Sequence, residues 1–173
     1  MNITTRRARL ASDYRELMSM AGPILKVTPL AGVPPYCDEY ELEIHIRSIV
    51  GPEPTYRSVH KIRLSLPSGY PVSSPPRIVM MTRPFPYHTN WFSSGAWCNG
   101  VLRPTEGLGD FVVRMMQTLQ FRHEMTNVYS PARTDACLWY QQNKHNSQLF
   151  PSDTQTLPQP RTEGMEIGPI KRH

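Results

Sequence analysis

The chain has 173 residues and a mass of 19.8 kDa, with 39% hydrophobic and 19% charged side chains. That is long enough to bury the core of one domain without disulfide staples and too apolar for disorder throughout. No apolar run reaches the roughly 18 residues of a membrane span, and a charge of +5 with pI near 9.3 lacks the concentrated basic stripe of a nucleic-acid binder.

Residues 1–7 are basic but lead into Asp13 and Glu16 rather than an apolar signal core. The three cysteines, Cys37, Cys98 and Cys137, have no Cys-x-x-Cys spacing and cannot all pair. Both features predict a cytoplasmic protein with free thiols. The 18 prolines fall in groups, Pro34-Pro35, Pro52 and Pro54, Pro67 and Pro71, Pro75-Pro76, and Pro84 and Pro86. Each group interrupts regular structure.

Over residues 4–20, Leu10, Tyr14, Leu17 and Met18 recur at helical spacing and Ala21-Gly22-Pro23 supplies a stop, which predicts an amphipathic helix. Its outer face carries Arg6, Arg7, Arg9 and Arg15, a solvated face and equally a surface for an acidic partner. Next, Tyr40, Leu42, Ile44 and Ile46 alternate with Glu41, Glu43, His45 and Arg47, a half-buried strand ending near Gly51-Pro52-Glu53-Pro54. Ile62, Leu64 and Leu66 alternate likewise with Lys61, Arg63 and Ser65. Antiparallel pairing of the two sets Glu41 and Glu43 against Lys61 and Arg63, each pair contributing roughly a few tenths of a kcal/mol. Residues 24–29 and 77–82 complete a four-stranded meander.

From residue 84 to 107 no periodicity holds, a loop of about two dozen residues and longer than most connections in a compact domain. Its Phe85, Tyr87, Trp91, Phe92 and Trp97 call for burial and argue against disorder. Leu108, Phe111, Val112, Met115 and Leu119 mark a helix whose methionines are core filler. A last helix is predicted to start at Ser130-Pro131, with Ala132, Ala136, Trp139 and Tyr140 inward. From about His145 the chain turns polar and proline-bearing, so residues 1–144 are expected as the folded domain and 145–173 as a disordered tail.

The loop brings together a histidine, an amide and a thiol in Tyr87-His88-Thr89-Asn90 and Cys98. Each alone is a weak signal, because a free cysteine is usually a small buried hydrophobe and a lone histidine usually structural. Cys98, His123 and Cys137 offer no closely spaced zinc-ligand pair, so neither a metal nor a cofactor is expected.

The order of elements is more specific. A helix, a meander, Tyr70-Pro71 with Pro75-Pro76, then His88-Thr89-Asn90, Cys98 eight residues after Asn90, and two helices resemble the ubiquitin-conjugating enzymes over roughly residues 5–144. Trp97-Cys98-Asn99-Gly100 and Asn127-Val128-Tyr129-Ser130-Pro131-Ala132 resemble bacterial members of that superfamily, for which antiphage defence operons are one setting. The resemblance implies an α+β, ubiquitin-conjugating-like fold: an N-terminal helix, a four-stranded antiparallel meander, a long active-site loop and two or more C-terminal helices. It further implies that Cys98 accepts a ubiquitin-like modifier as a thioester from an activating enzyme and passes it to an amine, usually a lysine. Asn90 would stabilise the oxyanion or hold the loop, with His88, Thr89, Tyr87 and Tyr129 in support. The helix bearing Arg6, Arg7 and Arg9 would offer part of the activating-enzyme surface, and the loops around residues 67–76 and 84–86 would meet a ligase or protein substrate. No nucleic-acid or membrane partner is implied.

The sequence departs from the family in three ways. Thr89 stands where the family has proline, so the triplet lacks a rigidifying ring. Asn99-Gly100 and residues 127–130 lack the acids that orient or deprotonate the incoming lysine, and the family's tryptophan between the cysteine and second helix is absent. The alternative expectation is a catalytically weak or inactive module of the same fold that scaffolds the modifier or its partners.

Overall fold

The structure is a computed structural model that describes residues 2–150 and 155–161. Helix α1 (Ile3–Ser19) starts at Asn2, whose Oδ1 accepts the Thr4 N–H at 3.0 Å. Its buried stripe is Leu10, Leu17 and Met20 with the half-buried Tyr14; Met18, predicted inward, lies one position off that stripe and is exposed.

Four strands follow in a meander: β1 (Leu25–Val33), β2 (Tyr36–Ile44), β5 (His60–Ser65) and β6 (Arg77–Met80), neighbours in that order and all antiparallel. Period-two alternation sends Tyr40, Leu42, Ile44, Ile62, Leu64, Ile78 and Met80 into the core and leaves Glu41, Glu43, Lys61 and Arg63 on the outer face. Glu41 opposes Arg63 and Glu43 opposes Lys61, as the alternation predicts. The ion pairs run partly along the diagonal instead, Arg63 to Glu39 at 3.2 Å and Lys61 to Glu41 at 3.9 Å.

A short hairpin of β3 (Ser48–Gly51) and β4 (Thr55–Arg57) stands between β2 and β5, where the sequence reading expects only a break. All four β3 residues are buried, so no alternation betrays it.

The buried face of the sheet packs against α1 and α2 (Leu108–Leu119) in one core. The five apolar residues predicted for α2 are all buried. Its N-terminus has no cap of its own, and two carboxylates of α1 supply one: Asp13 Oδ1 accepts the Leu108 N–H at 3.3 Å and Glu16 Oε2 the Gly109 N–H at 2.9 Å. Asp13 is almost wholly buried, bonded also by Arg9 at 3.0 Å and the Tyr70 hydroxyl at 2.7 Å. Burial still holds its carboxyl above the usual carboxylate range.

Helix α3 (Thr134–Asn143), with Arg133 at its N-cap, begins three residues later than predicted. Asn127 Oδ1 accepts the backbone N–H groups of Tyr129 and Ser130, which locks Ser130 in a turn instead of a cap. A 3-10 turn (His123–Met125) joins α2 to this stretch. Disorder after His145 is not what residues 145–150 and 155–161 show. Phe150 is buried in a second cluster with Ile49, Tyr87, Phe121, Ala136 and Tyr140, and Leu157 is buried in the main core. The Arg161 N–H donates to Ser19 Oγ at 3.1 Å, fastening the segment across the end of α1. The rest of the predicted tail, residues 151–154 and 162–173, lies outside the described residues. No helix among the described residues is long and apolar enough to cross a membrane.

Candidate active site

The loop after β6 folds back on the strand it leaves. The Met80 N–H donates to Gly95 O at 2.8 Å and the Trp97 N–H to Ile78 O at 3.0 Å, so residues 95–97 cover the edge of β6. Gly95 has φ of +93°, and a Cβ there would sit 3.0 Å from both Met80 O and the Phe85 ring. Trp91 is fully buried and its Nε1–H donates to Thr118 Oγ1 at 2.9 Å, pinning the loop to α2. Of the five aromatics predicted to be buried, Phe92 is exposed, because the tight turn from Phe92 to Gly95 turns it outward.

This folding delivers Cys98 beside the Arg77 end of β6. Its N–H donates to Asn90 O at 2.8 Å, closing the stretch between the two residues, and Asn99 Nδ2 donates to Pro76 O at 3.2 Å. Cys98 is half-buried, whereas Cys37 and Cys137 are buried. Exposure therefore separates the one thiol a substrate can reach from two that pack as small hydrophobes.

Asn90 is used at both ends of its amide. Oδ1 accepts from Thr89 Oγ1 at 2.7 Å and from the Asn127 N–H at 2.9 Å, while Nδ2 donates to Met125 O at 3.0 Å. One side chain thus ties the loop to the stretch between α2 and α3. The Ala132 N–H, donating to Thr89 O at 2.7 Å, closes the same seam. An amide nitrogen carries two N–H groups, so one remains for a substrate oxygen.

His88 is 1% exposed, edge-on to Phe121 at 4.6 Å, and its Nδ1 accepts the Asn90 N–H at 2.9 Å. Burial pushes the imidazole down to about 3, so it is neutral and carries its proton on Nε2. It organises the loop from behind and is unsuited to act as a general base in the cleft. Thr89 is buried beside it. Tyr87 is buried too, its ring 4.6 Å from the Arg133 guanidinium and its N–H donating to Ile49 O of β3 at 2.9 Å. The hairpin the sequence hides is thus a buttress of the loop.

Cys98 and Asn90 share a cleft of about 100 Å³ with Trp97, Asn99, Gly100, Arg114, Met125, Asn127, Ser130 and Ala132. Among the described residues, no carboxylate lines it. Its cation, Arg114, is held by Glu106 at 2.9 Å and donates to Asn99 O at 3.3 Å. Tyr129 is 96% exposed and is not part of the cleft wall.

The arginines of α1 stand apart from the cleft and have internal tasks. Arg6 donates to the carbonyls of Pro67 and Tyr70, and Arg9 to Asp13, the Tyr70 hydroxyl and the carbonyls of Pro104 and Glu106. Arg7 is exposed and lies 3.7 Å over the Tyr36 ring. Of the three, Arg7 offers its guanidinium most openly to a partner.

No protein-family model and no curated protein matches this chain.

Arg114, Met125 and Asn127 are cleft residues that the sequence reading misses. Asn127 opening a turn is visible as a composition signal, but a backbone carbonyl such as that of Met125 leaves no trace in residue identity. Among the described residues, no three His, Cys, Asp or Glu side chains gather as a metal site requires.

Proposed function

We propose that the chain is a ubiquitin-like-protein conjugating enzyme, with Cys98 as the thioester carrier and Asn90 as loop anchor and oxyanion donor. The observation that carries the reading is the accessible Cys98 joined by its own N–H to Asn90 O, with the Asn90 amide on the wall of the same small cleft. The α+β layout of α1, meander, loop and C-terminal helices is compatible with it.

In the first step the Cys98 thiolate attacks the carbonyl carbon of the modifier's C-terminal residue, and the activating enzyme's thiol leaves. In the second, an amine attacks the Cys98 thioester. The carbonyl oxygen gains negative charge that the second Asn90 N–H can meet, the C–S bond breaks, and the amine proton leaves to solvent or to the acceptor's own groups. Because no carboxylate among the described residues lines the cleft, those residues supply no base for that proton, and the acceptor must arrive neutral or bring its own.

That lack of an acid supports a second reading, a scaffold that binds the modifier without transferring it. Incubation with the cognate activating enzyme, ATP and modifier separates the two. A thiol-labile adduct that vanishes in Cys98→Ala supports the carrier, whereas modifier binding that is unchanged by Cys98→Ala, with no adduct, supports the scaffold.

A further inference from the structure

Of the chain's 19 cationic side chains, 15 are arginine and four are lysine. Among the described residues the lysines are Lys26, Lys61 and Lys144, all exposed.

Their placement is one-sided. Cys98 follows residues 95–97 past the Arg77 end of β6, at the level where Arg77 opposes Ser65. Lys61 lies at the other end of the same pairing, its carbonyl taking the Met81 N–H. Four residues of strand, about 13 Å, separate the two levels. Lys26 opposes Glu43, which opposes Lys61, so Lys26 shares that remote row and lies two strands further across. Lys144 caps the far end of α3, a ten-residue helix about 15 Å long whose near end follows the cleft residue Ala132.

Arginine occupies the near positions instead. Arg114 lines the cleft, Arg133 follows Ala132 at the start of α3, and Arg77 opens β6.

The chemistry gives this arrangement a purpose. A guanidinium stays protonated at any physiological pH and does not attack a thioester. A lysine amine is neutral in only about one molecule in a thousand at neutral pH, yet an amine held beside the carbonyl gains an effective concentration far above any solution value. A lysine on the cleft wall would therefore compete with the true acceptor. We infer that the described part of the chain keeps its primary amines away from Cys98 and meets its need for positive charge there with arginine, so that an acyl group on Cys98 is not passed to Lys26, Lys61 or Lys144. This rests on Cys98 being an acyl carrier.

The step guarded against is S-to-N acyl transfer: the lysine nitrogen bonds the carbonyl carbon, the C–S bond breaks, Cys98 takes up a proton as the thiol returns, and the ammonium loses one. The probe is an N-acetyl-Gly-Gly thioester of mercaptoethanesulfonate, whose blocked amine cannot cyclise and which can acylate Cys98 by exchange without an activating enzyme. Full-length protein is acylated, freed of probe by desalting, and followed by intact mass before and after thiol treatment. Arg114→Lys and Ser130→Lys should convert the thiol-labile adduct into a thiol-resistant amide at least about tenfold faster than the native chain. Ser130→Arg, similar in length and charge, should add no amide. Ser130 is exposed, so this pair reports even where Arg114→Lys disturbs the Glu106 contact.

Equal lifetimes in the lysine variants and the native chain would overturn the inference while leaving Cys98 a carrier. So would rapid amide formation on Lys26, Lys61 or Lys144 of the native chain. No uptake of acyl group, with Cys98→Ala indistinguishable from native, would instead remove the carrier reading and this inference with it.

Discussion

Asn90→Ala removes three hydrogen bonds at once, to Thr89 Oγ1, the Asn127 N–H and Met125 O. At about 1 kcal/mol net per bond, the loss approaches 3 kcal/mol, falling toward 2 because the Asn127 amide is exposed and water can replace its partner. Asn90→Asp keeps an acceptor for Thr89 and Asn127 and loses the donor to Met125 O, now facing a carboxylate. Its cost should be about half that of the alanine change. Urea unfolding gives both numbers from the midpoint at a constant slope.

The same pair tests the chemistry. Neither variant can donate to a developing oxyanion, so both should discharge a preformed thioester to a free amine about 100-fold or more slowly than the native chain. If Asn90→Ala loses less than about 0.5 kcal/mol, the side chain does not anchor the loop. If Asn90→Asp discharges at the native rate, the amide is not the oxyanion donor.

Acidification should destabilise the fold at pH values above those at which carboxylates ordinarily take up protons. Burial pushes His88 down to about 3 and His60 to about 4, from an ordinary 6.5, so both stay neutral when folded while the unfolded chain takes up protons. Stability is then full above pH 6.5 and falls as pH drops below it, by about 3–4 kcal/mol between pH 7 and pH 5, which urea midpoints at the two pH values would show. Asp13, held above its usual range by burial, acts in the opposite sense at lower pH. Asp13→Asn should cost about 3 kcal/mol in the same assay, the low end for breaking a buried pair, since Arg9 keeps some solvent. Phe150→Ala and Leu157→Ala should each cost about 2–3 kcal/mol, and truncation after Lys144 should lower the thermal midpoint rather than leave it unchanged.

The sheet and α2 are legible in the sequence because their periods are clean. Tyr40, Leu42 and Ile44 alternate with glutamates, and Leu108 to Leu119 keeps one apolar stripe. β3 is not, because a strand buried on both faces has no alternation and its turn reads as proline punctuation. The helix boundary at Thr134 is hidden because Asn127 competes for the amides near Ser130. The tail misleads for a related reason. Its composition is polar, but single anchors such as Phe150 and Leu157 are enough to dock short segments. At the site, residue types and the spacing of Asn90 and Cys98 point to the cleft. The bond from the Cys98 N–H to Asn90 O, and the partners that occupy Asn90, belong to backbone geometry that no residue identity carries.

A thioester between Cys98 and the modifier is the species on which the proposed function depends. The direct measurement is intact mass without reductant after incubation with an active cognate activating enzyme, ATP and modifier, on the native chain, Cys98→Ala and Cys98→Ser. The expected result is one modifier added to the native chain and removed by thiol, none on Cys98→Ala, and a thiol-resistant, hydroxylamine-sensitive adduct on Cys98→Ser. An unmodified native chain beside a demonstrably charged activating enzyme, or an adduct that persists in Cys98→Ala, would contradict it.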